Sequence, residues 1–247
     1  MRSKTFLVRF ICIVTILLGL STVLRAQTDE ELYASYMDGQ LTIWKPYIDG
    51  ADWAHLSHAE RLRLINYEYG YVPFLADRND PAAQHYLDLY MQHLSEEEKY
   101  LTPSLFASYM CAAHAYAYLL DKKKLFTSGL QSFRLAKQAV DLDGENPIAL
   151  LLKGNVYFYS PRAFGGNKEE AMNLFEKAER IMQQQGTWHY LWNYPALQLC
   201  IAQCYDKLGD TNRAYQKCQA ILREHPDFDF VKRIYLPDLL ERLKTQH

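Results

Sequence analysis

The chain has 247 residues, 49% hydrophobic and 23% charged, with 27 Lys and Arg against 29 Asp and Glu. That length suits one or two ordinary domains with a buried core. The slightly acidic balance, without a basic block, argues against nucleic acid and against an anionic membrane surface as partners.

Arg2, Lys4 and Arg9 precede an apolar run from Phe10 to Leu20, and Ala26 offers a small residue for cleavage before Gln27. We expect residues 1–26 to be a signal peptide, although Leu24 is larger than the small residue usual two positions before such a cut. The run falls short of the roughly 20 apolar residues a membrane span needs, and no Cys follows it to carry a lipid. Cleavage takes away four of the 27 basic residues and none of the 29 acidic ones, leaving a mature chain near −6. The expected location is the periplasm or the medium, with the membrane touched only through the removed leader.

Glycine is scarce, at 11 residues, and strand-like alternation is rare, so the expected fold is all-α. Residues 27–56 read as an N-terminal helical segment. Thr28 with Glu31 forms a capping box for a helix to about Met37, and Leu41, Trp44 and Ile48 continue an apolar stripe in a second helix that Pro46 limits or kinks. Residues 57–247 read as a series of helix pairs. Ser57 with Glu60 caps a helix carrying Leu62, Ile65, Tyr69 and Val72, and Asp80-Pro81 starts its partner, with Tyr86, Leu87, Tyr90 and Leu94 on one face. Thr102-Pro103 starts a nearly all-apolar helix to Leu120, paired across a polar turn with Phe126 to Leu142. A third pair covers Pro147–Tyr159 and Asn167–Gln184, and a fourth about Tyr190–Leu208 and Thr211–His225. Phe228–Tyr235 and Pro237–Thr245 complete the chain, the last with a charged face suited to capping a stack.

The mature cysteines are Cys111, Cys200, Cys204 and Cys218. An exported protein can pair them, and Cys204 and Cys218 sit on successive helices of one pair, which leaves a bridge between them open. The other reading makes all four small buried apolar fillers. Their spacings do not suit structural zinc.

Within residues 146–226, Leu150, Gly154 and Tyr157 are followed by Ala171, Phe175 and Ala178, and the pattern recurs as Ile201, Ala202, Tyr205, Ala214, Ile221 and Pro226. The small residues let paired helices approach, and the aromatics fill the gaps. This resembles the tetratricopeptide repeat, with Cys218 where an aromatic is usual and a short insertion, Ser160 to Gly166, in the third pair. The run from Gly154 through Pro161, with Phe164-Gly165-Gly166, Trp192-Asn193-Tyr194 and the ending from Pro226 to Pro237, is similar to a family of exported tetratricopeptide-like proteins of Gram-negative bacteria. The Pro161-to-Gly166 insertion is also similar to one in periplasmic repeat proteins that partner solute-binding components of transporters. These resemblances imply a right-handed α-α superhelix of about four pairs with a concave face. They imply no activity.

No motif compels a reaction. The Gly165-Gly166 turn before a helix could present N–H groups to an anion, or could simply need glycine for its backbone. His55, His58, His85 and His93 lack metal-ligand spacing and read as solvated side chains at helix starts. Glu96 to Glu98 and Glu169-Glu170 read as carboxylates near helix starts, where the dipole favours them. Trp188, Tyr190, Trp192 and Tyr194 alternate, either as a stacking platform or as packing between repeats. Periodicity places Leu151, Asn155, Phe158 and Tyr159 on the flank expected to line the concave side, joined by Arg162 and Phe164 from the insertion and Gln203 from the next pair. With Trp188 and Trp192 these are the candidate binding residues. The expected function is a non-catalytic scaffold that holds a protein or peptide in the groove, with no cofactor or metal. The alternative is a small-ligand or transporter-accessory protein with an apolar pocket near Pro161–Gly166.

Overall fold

The computed structural model describes residues 28–186 and 191–245; the expected signal peptide, Trp188 and Tyr190 lie outside the described residues. Those residues form eleven α-helices and, among them, no strand. The first two are Asp29–Met37 (α1) and Trp44–Asp49 (α2). Then come His58–Asp77 (α3), Ala83–Glu97 (α4), Pro103–Leu120 (α5) and Ser128–Leu142 (α6). Pro147–Tyr159 (α7), Lys168–Gln185 (α8), Asn193–Lys207 (α9) and Thr211–Glu224 (α10) follow, and Leu236–Thr245 (α11) closes the chain after a π turn at Val231–Tyr235.

The helix starts follow local chemistry. Thr28 and Ser57 each close a full capping box, with Glu31 and Glu60 reaching back. Such a box satisfies two otherwise orphaned N–H groups. Asn146 accepts from Ile148 N at 3.0 Å and Ala149 N at 3.3 Å ahead of Pro147, and Asn167 accepts from Glu170 N at 3.1 Å. Asp210 does the same for α10, accepting from Arg213 N at 3.0 Å.

Helices pack as consecutive pairs, α3 on α4, α5 on α6, α7 on α8 and α9 on α10. The first helices of the pairs also touch in a row, α3 to α5 to α7 to α9, and each second helix meets the first helix of the next pair. Within the third pair Ala171, Phe175 and Ala178 are fully buried, and in the fourth Ala202, Ala214 and Ile221 are as well. The small-plus-aromatic pattern is therefore the seam of these pairs.

α1 and α2 do not stand apart from the pairs. Trp44 is fully buried, donates its indole N–H to Leu32 O at 2.8 Å, and meets Tyr67 edge-on at 4.9 Å. Trp192, at the entrance to α9, lies 5.5 Å from Trp44, 5.4 Å from Tyr36 and 5.3 Å from Tyr69. A Cβ on Gly70 would stand 2.6 Å from Trp192 and 2.7 Å from Trp44, so α3 passes these rings only because it carries glycine there. A buried polar bridge joins the same regions. Asn66 donates to Asn193 Oδ1 at 2.9 Å and accepts from Tyr109 Oη at 3.1 Å. The N-terminal helices α1 to α3 are thus packed against the last pair.

Candidate functional site

Tyr159 ends α7 and leads into the insertion. It is 68% exposed. Even so, burial, with the Cys200 and Cys204 sulfurs adding to it, pushes its hydroxyl above the ordinary tyrosine range. Tyr159 is near enough to Tyr36 and Tyr116 for its charge to bear on both of their hydroxyls, which burial also pushes up.

A recess of about 350 Å³ opens beside Tyr159, with Phe158 as a second aromatic wall and Gln203 facing it from α9. Its other side is charged. Arg242 of α11 donates to Asp206 Oδ1 at 2.7 Å and pairs with Asp238 Oδ2 at 3.0 Å, so two carboxylates share one guanidinium. Lys207, exposed on the rim, balances the remaining charge. Tyr235 completes the wall; burial first, then the Asp206 carboxylate, raises its hydroxyl pKa, so it stays a neutral donor near neutral pH. The recess is an aromatic slot with a nearly neutral polar rim.

Of the residues expected from the sequence, Phe158, Tyr159 and Gln203 come together here. Asn155, one turn before Tyr159, accepts from the Cys200 thiol at 3.7 Å. Leu151 is buried in the core between the third and fourth pairs. Trp192 is buried in the N-terminal aromatic cluster, so it packs and offers no platform; Tyr194 is fully buried too. Arg162 and Phe164 are exposed on a short turn, Arg162–Phe164, that does not line the recess. Trp188 lies outside the described residues. Asp206, Lys207, Tyr235, Asp238 and Arg242 were missed. Only the Asp238–Arg242 spacing of four within one helix was legible; Asp206 joins them across thirty-six residues.

Several local expectations are corrected. Gly165 does need its backbone freedom, with φ of +91°, but the loop does not offer N–H groups to an anion. Gly165 N donates to Arg162 O at 3.1 Å, Gly166 N to Pro161 O at 3.0 Å and Asn167 N to Tyr157 O at 3.0 Å. Glu97 is not at a helix start. It closes α4 fully buried, against the helix dipole, and is held by Arg61 at 3.3 Å and by His58. His93 is not solvated; it is buried mid-helix, bonded to the fully buried Glu68 at 2.6 Å. Burial raises the Glu68 pKa, with the His93 hydrogen bond opposing it. Cys204 and Cys218 are both free and fully buried, so the bridge left open by the sequence is not made and they act as fillers. Among the described residues no three His, Cys, Asp or Glu side chains gather as a metal site would require, and no helix is long and apolar enough to cross a membrane.

The fold is a series of packed helix pairs, and the recess beside Tyr159 opens near the C-terminal end of the described residues. Among solved structures the chain is similar to the HusA haemophore from Porphyromonas gingivalis, with a TM-score of 0.50 and 19% identity over 74% of this chain and 96% of that one. At that identity the likeness speaks for the all-helical fold alone. No protein-family model matches the sequence, and no curated protein matches it either; the tetratricopeptide-like family expected from the repeat pattern is not confirmed.

Proposed function

We propose that this is an exported, non-catalytic helical protein that binds a compact aromatic ligand in the recess beside Tyr159. The observation that carries the reading is the packing of α1 and α2 against the last pair. Tyr36 meets Trp192 and, at 5.6 Å, Phe228. Helices that would otherwise leave a long open groove are plugged by the chain's own beginning. A second recess of about 640 Å³ opens beside Leu101, Phe106 and Leu135; the one beside Tyr159, about 350 Å³, is at the lower end of the range for small-molecule sites. This favours the small ligand over the extended peptide as occupant.

The row of contacts among α3, α5, α7 and α9 supports a tetratricopeptide-like stacking of the pairs. Binding would rest on stacking against Tyr159 and Phe158 and on a hydrogen bond from the Gln203 amide, with Lys207 meeting an acidic substituent. A flat aromatic ligand with a carboxylate edge fits that set. The structural neighbour is titled a haemophore, so haem is the first ligand to titrate, followed by metal-free porphyrin and smaller aromatic acids.

The test is a spectroscopic titration of the purified protein. We expect saturable binding and a loss of about ten-fold or more in affinity for Tyr159→Ala, in line with a single well-packed aromatic contact and its hydrogen bond. Phe164→Ala, outside the recess, leaves affinity unchanged. Unaltered binding by the Tyr159 variant would move the site elsewhere. Absence of binding across the panel would return the scaffold reading to first place.

A further inference from the structure

The turn that joins α5 to α6, Lys122–Leu125, places three lysines in succession. Phe126 follows them and is 76% exposed, although large aromatic side chains are ordinarily drawn into a core. Leu125 beside it is half-buried, with its Cδ1 3.2 Å from where a Cβ on Gly129 would stand. Leu130, in the first turn of α6, is 38% exposed, and Leu119 near the end of α5 is 43% exposed. Both helices of the hairpin therefore present apolar side chains at the end that carries the lysines.

The charge around this tip is one-sided. From Tyr118 to Arg134 the cations are Lys122, Lys123, Lys124 and Arg134, and the acid is Asp121. Asp121 uses a carboxylate oxygen to accept from Lys123 N at 3.0 Å. The Lys122 ammonium lies 4.6 Å from the Tyr118 ring, along the hairpin surface. The whole chain is slightly acidic, so this patch runs against the average and against the expectation drawn from that average.

We propose that the α5–α6 tip docks on an anionic lipid surface, with Phe126 entering the headgroup region and Lys122, Lys123 and Lys124 meeting lipid phosphates. An exposed aromatic beside a lysine cluster combines the two contributions a reversible membrane contact needs, apolar insertion and attraction to anionic headgroups. Neither is strong alone. Lysine stems also cover apolar surface while their ammonium groups stay in water, which suits the boundary. A protein partner would have to supply a dense acidic face opposite a projecting phenyl ring. A lipid surface offers both phases at once. The proposal stands apart from the Tyr159 recess and survives if that reading fails.

Vesicle flotation of the purified protein tests it, using equal parts of phosphatidylglycerol and phosphatidylcholine against phosphatidylcholine alone. We expect co-flotation with the anionic vesicles only, weakened by added salt. Each lysine lost near the surface should weaken binding by roughly five-fold, so Lys122→Gln, Lys123→Gln and Lys124→Gln together should abolish it. Phe126→Ser should reduce it at unchanged charge. Lys122, Lys123 and Phe126 are exposed and Lys124 is half-buried on the turn, and both variants should keep the wild-type circular dichroism spectrum. Failure to float, equal binding to neutral vesicles, or wild-type binding by the triple variant would overturn the proposal.

Discussion

A Cβ on Gly154 would stand 2.4 Å from the Phe175 ring, closer than any real contact. Alanine is a better helix former than glycine by about 1 kcal/mol, but overpacking a full core costs about 1–3 kcal/mol. Phe175 is fully buried and cannot swing aside, so the clash prevails. Gly154→Ala should lower the denaturant midpoint with little change in slope, and adding Phe175→Leu should recover part of the loss. The cysteines carry a second prediction at this scale. Burial pushes the thiols of Cys111, Cys200, Cys204 and Cys218 up to about 12. The thiolate is the reactive form, so at neutral pH the folded protein should resist iodoacetamide, while all four react after denaturation, as mass spectrometry would read directly.

Among the elements, α1 is held to the end of the chain by a relay. Tyr33 donates its hydroxyl proton to His225 Nδ1 at 2.7 Å, His225 Nε2–H donates to Gln198 Oε1 at 3.1 Å, and Gln198 Nε2 donates to Glu224 Oε2 at 2.8 Å. Asp29 adds an ion pair to Arg63 of α3 at 2.6 Å. The relay needs neutral His225, because its Nδ1 must accept. Burial lowers the His225 pKa below 6.5, with Glu224 opposing. The folded state therefore binds fewer protons than the unfolded one in that range. The contribution is complete above 6.5 and is lost as pH falls through the lowered folded value. Stability should drop on acidification more in wild type than in Tyr33→Phe, which lacks the relay at every pH and should cost about 1–3 kcal/mol at neutral pH by leaving His225 Nδ1 unpaired. Equal pH slopes in the two proteins would refute this account.

For the whole molecule, the cores are not separable. Met37 of α1 is buried with Ala202, Ala214, Cys218 and Ile221 of the last pair, while Trp192 of that region is buried with the rings of α2 and α3. A plain stack of repeats would contact neighbours only and could lose an end at modest cost. Here removal of residues 28–49 should uncover Trp192, Tyr69 and Phe228 together. The truncated protein should bind a hydrophobic dye and unfold at a clearly lower temperature, whereas the intact protein should unfold in one transition seen alike by fluorescence and circular dichroism.

Local signals were strong enough in this sequence to place the capping boxes at Thr28 and Ser57, the starts at Pro103 and Pro147, and the small-and-aromatic seam at Gly154, Ala171 and Phe175, because caps and helix faces depend on residues within four positions of one another. The wall of the candidate site that α7 supplies was legible for the same reason: Phe158 and Tyr159 follow from the periodicity of one helix. Its charged half was not, since Asp206 and Arg242 meet only when α11 folds back on α9. The buried places of His93 and Glu97 were equally hidden, each depending on a partner in α3 that no local pattern names. The largest decision belonged to tertiary structure alone. Whether α1 and α2 extend the stack or plug it depends on Trp192, Trp44 and Gly70 meeting across more than a hundred residues of chain, and burial of two indole rings at one glycine is available only in the closed arrangement.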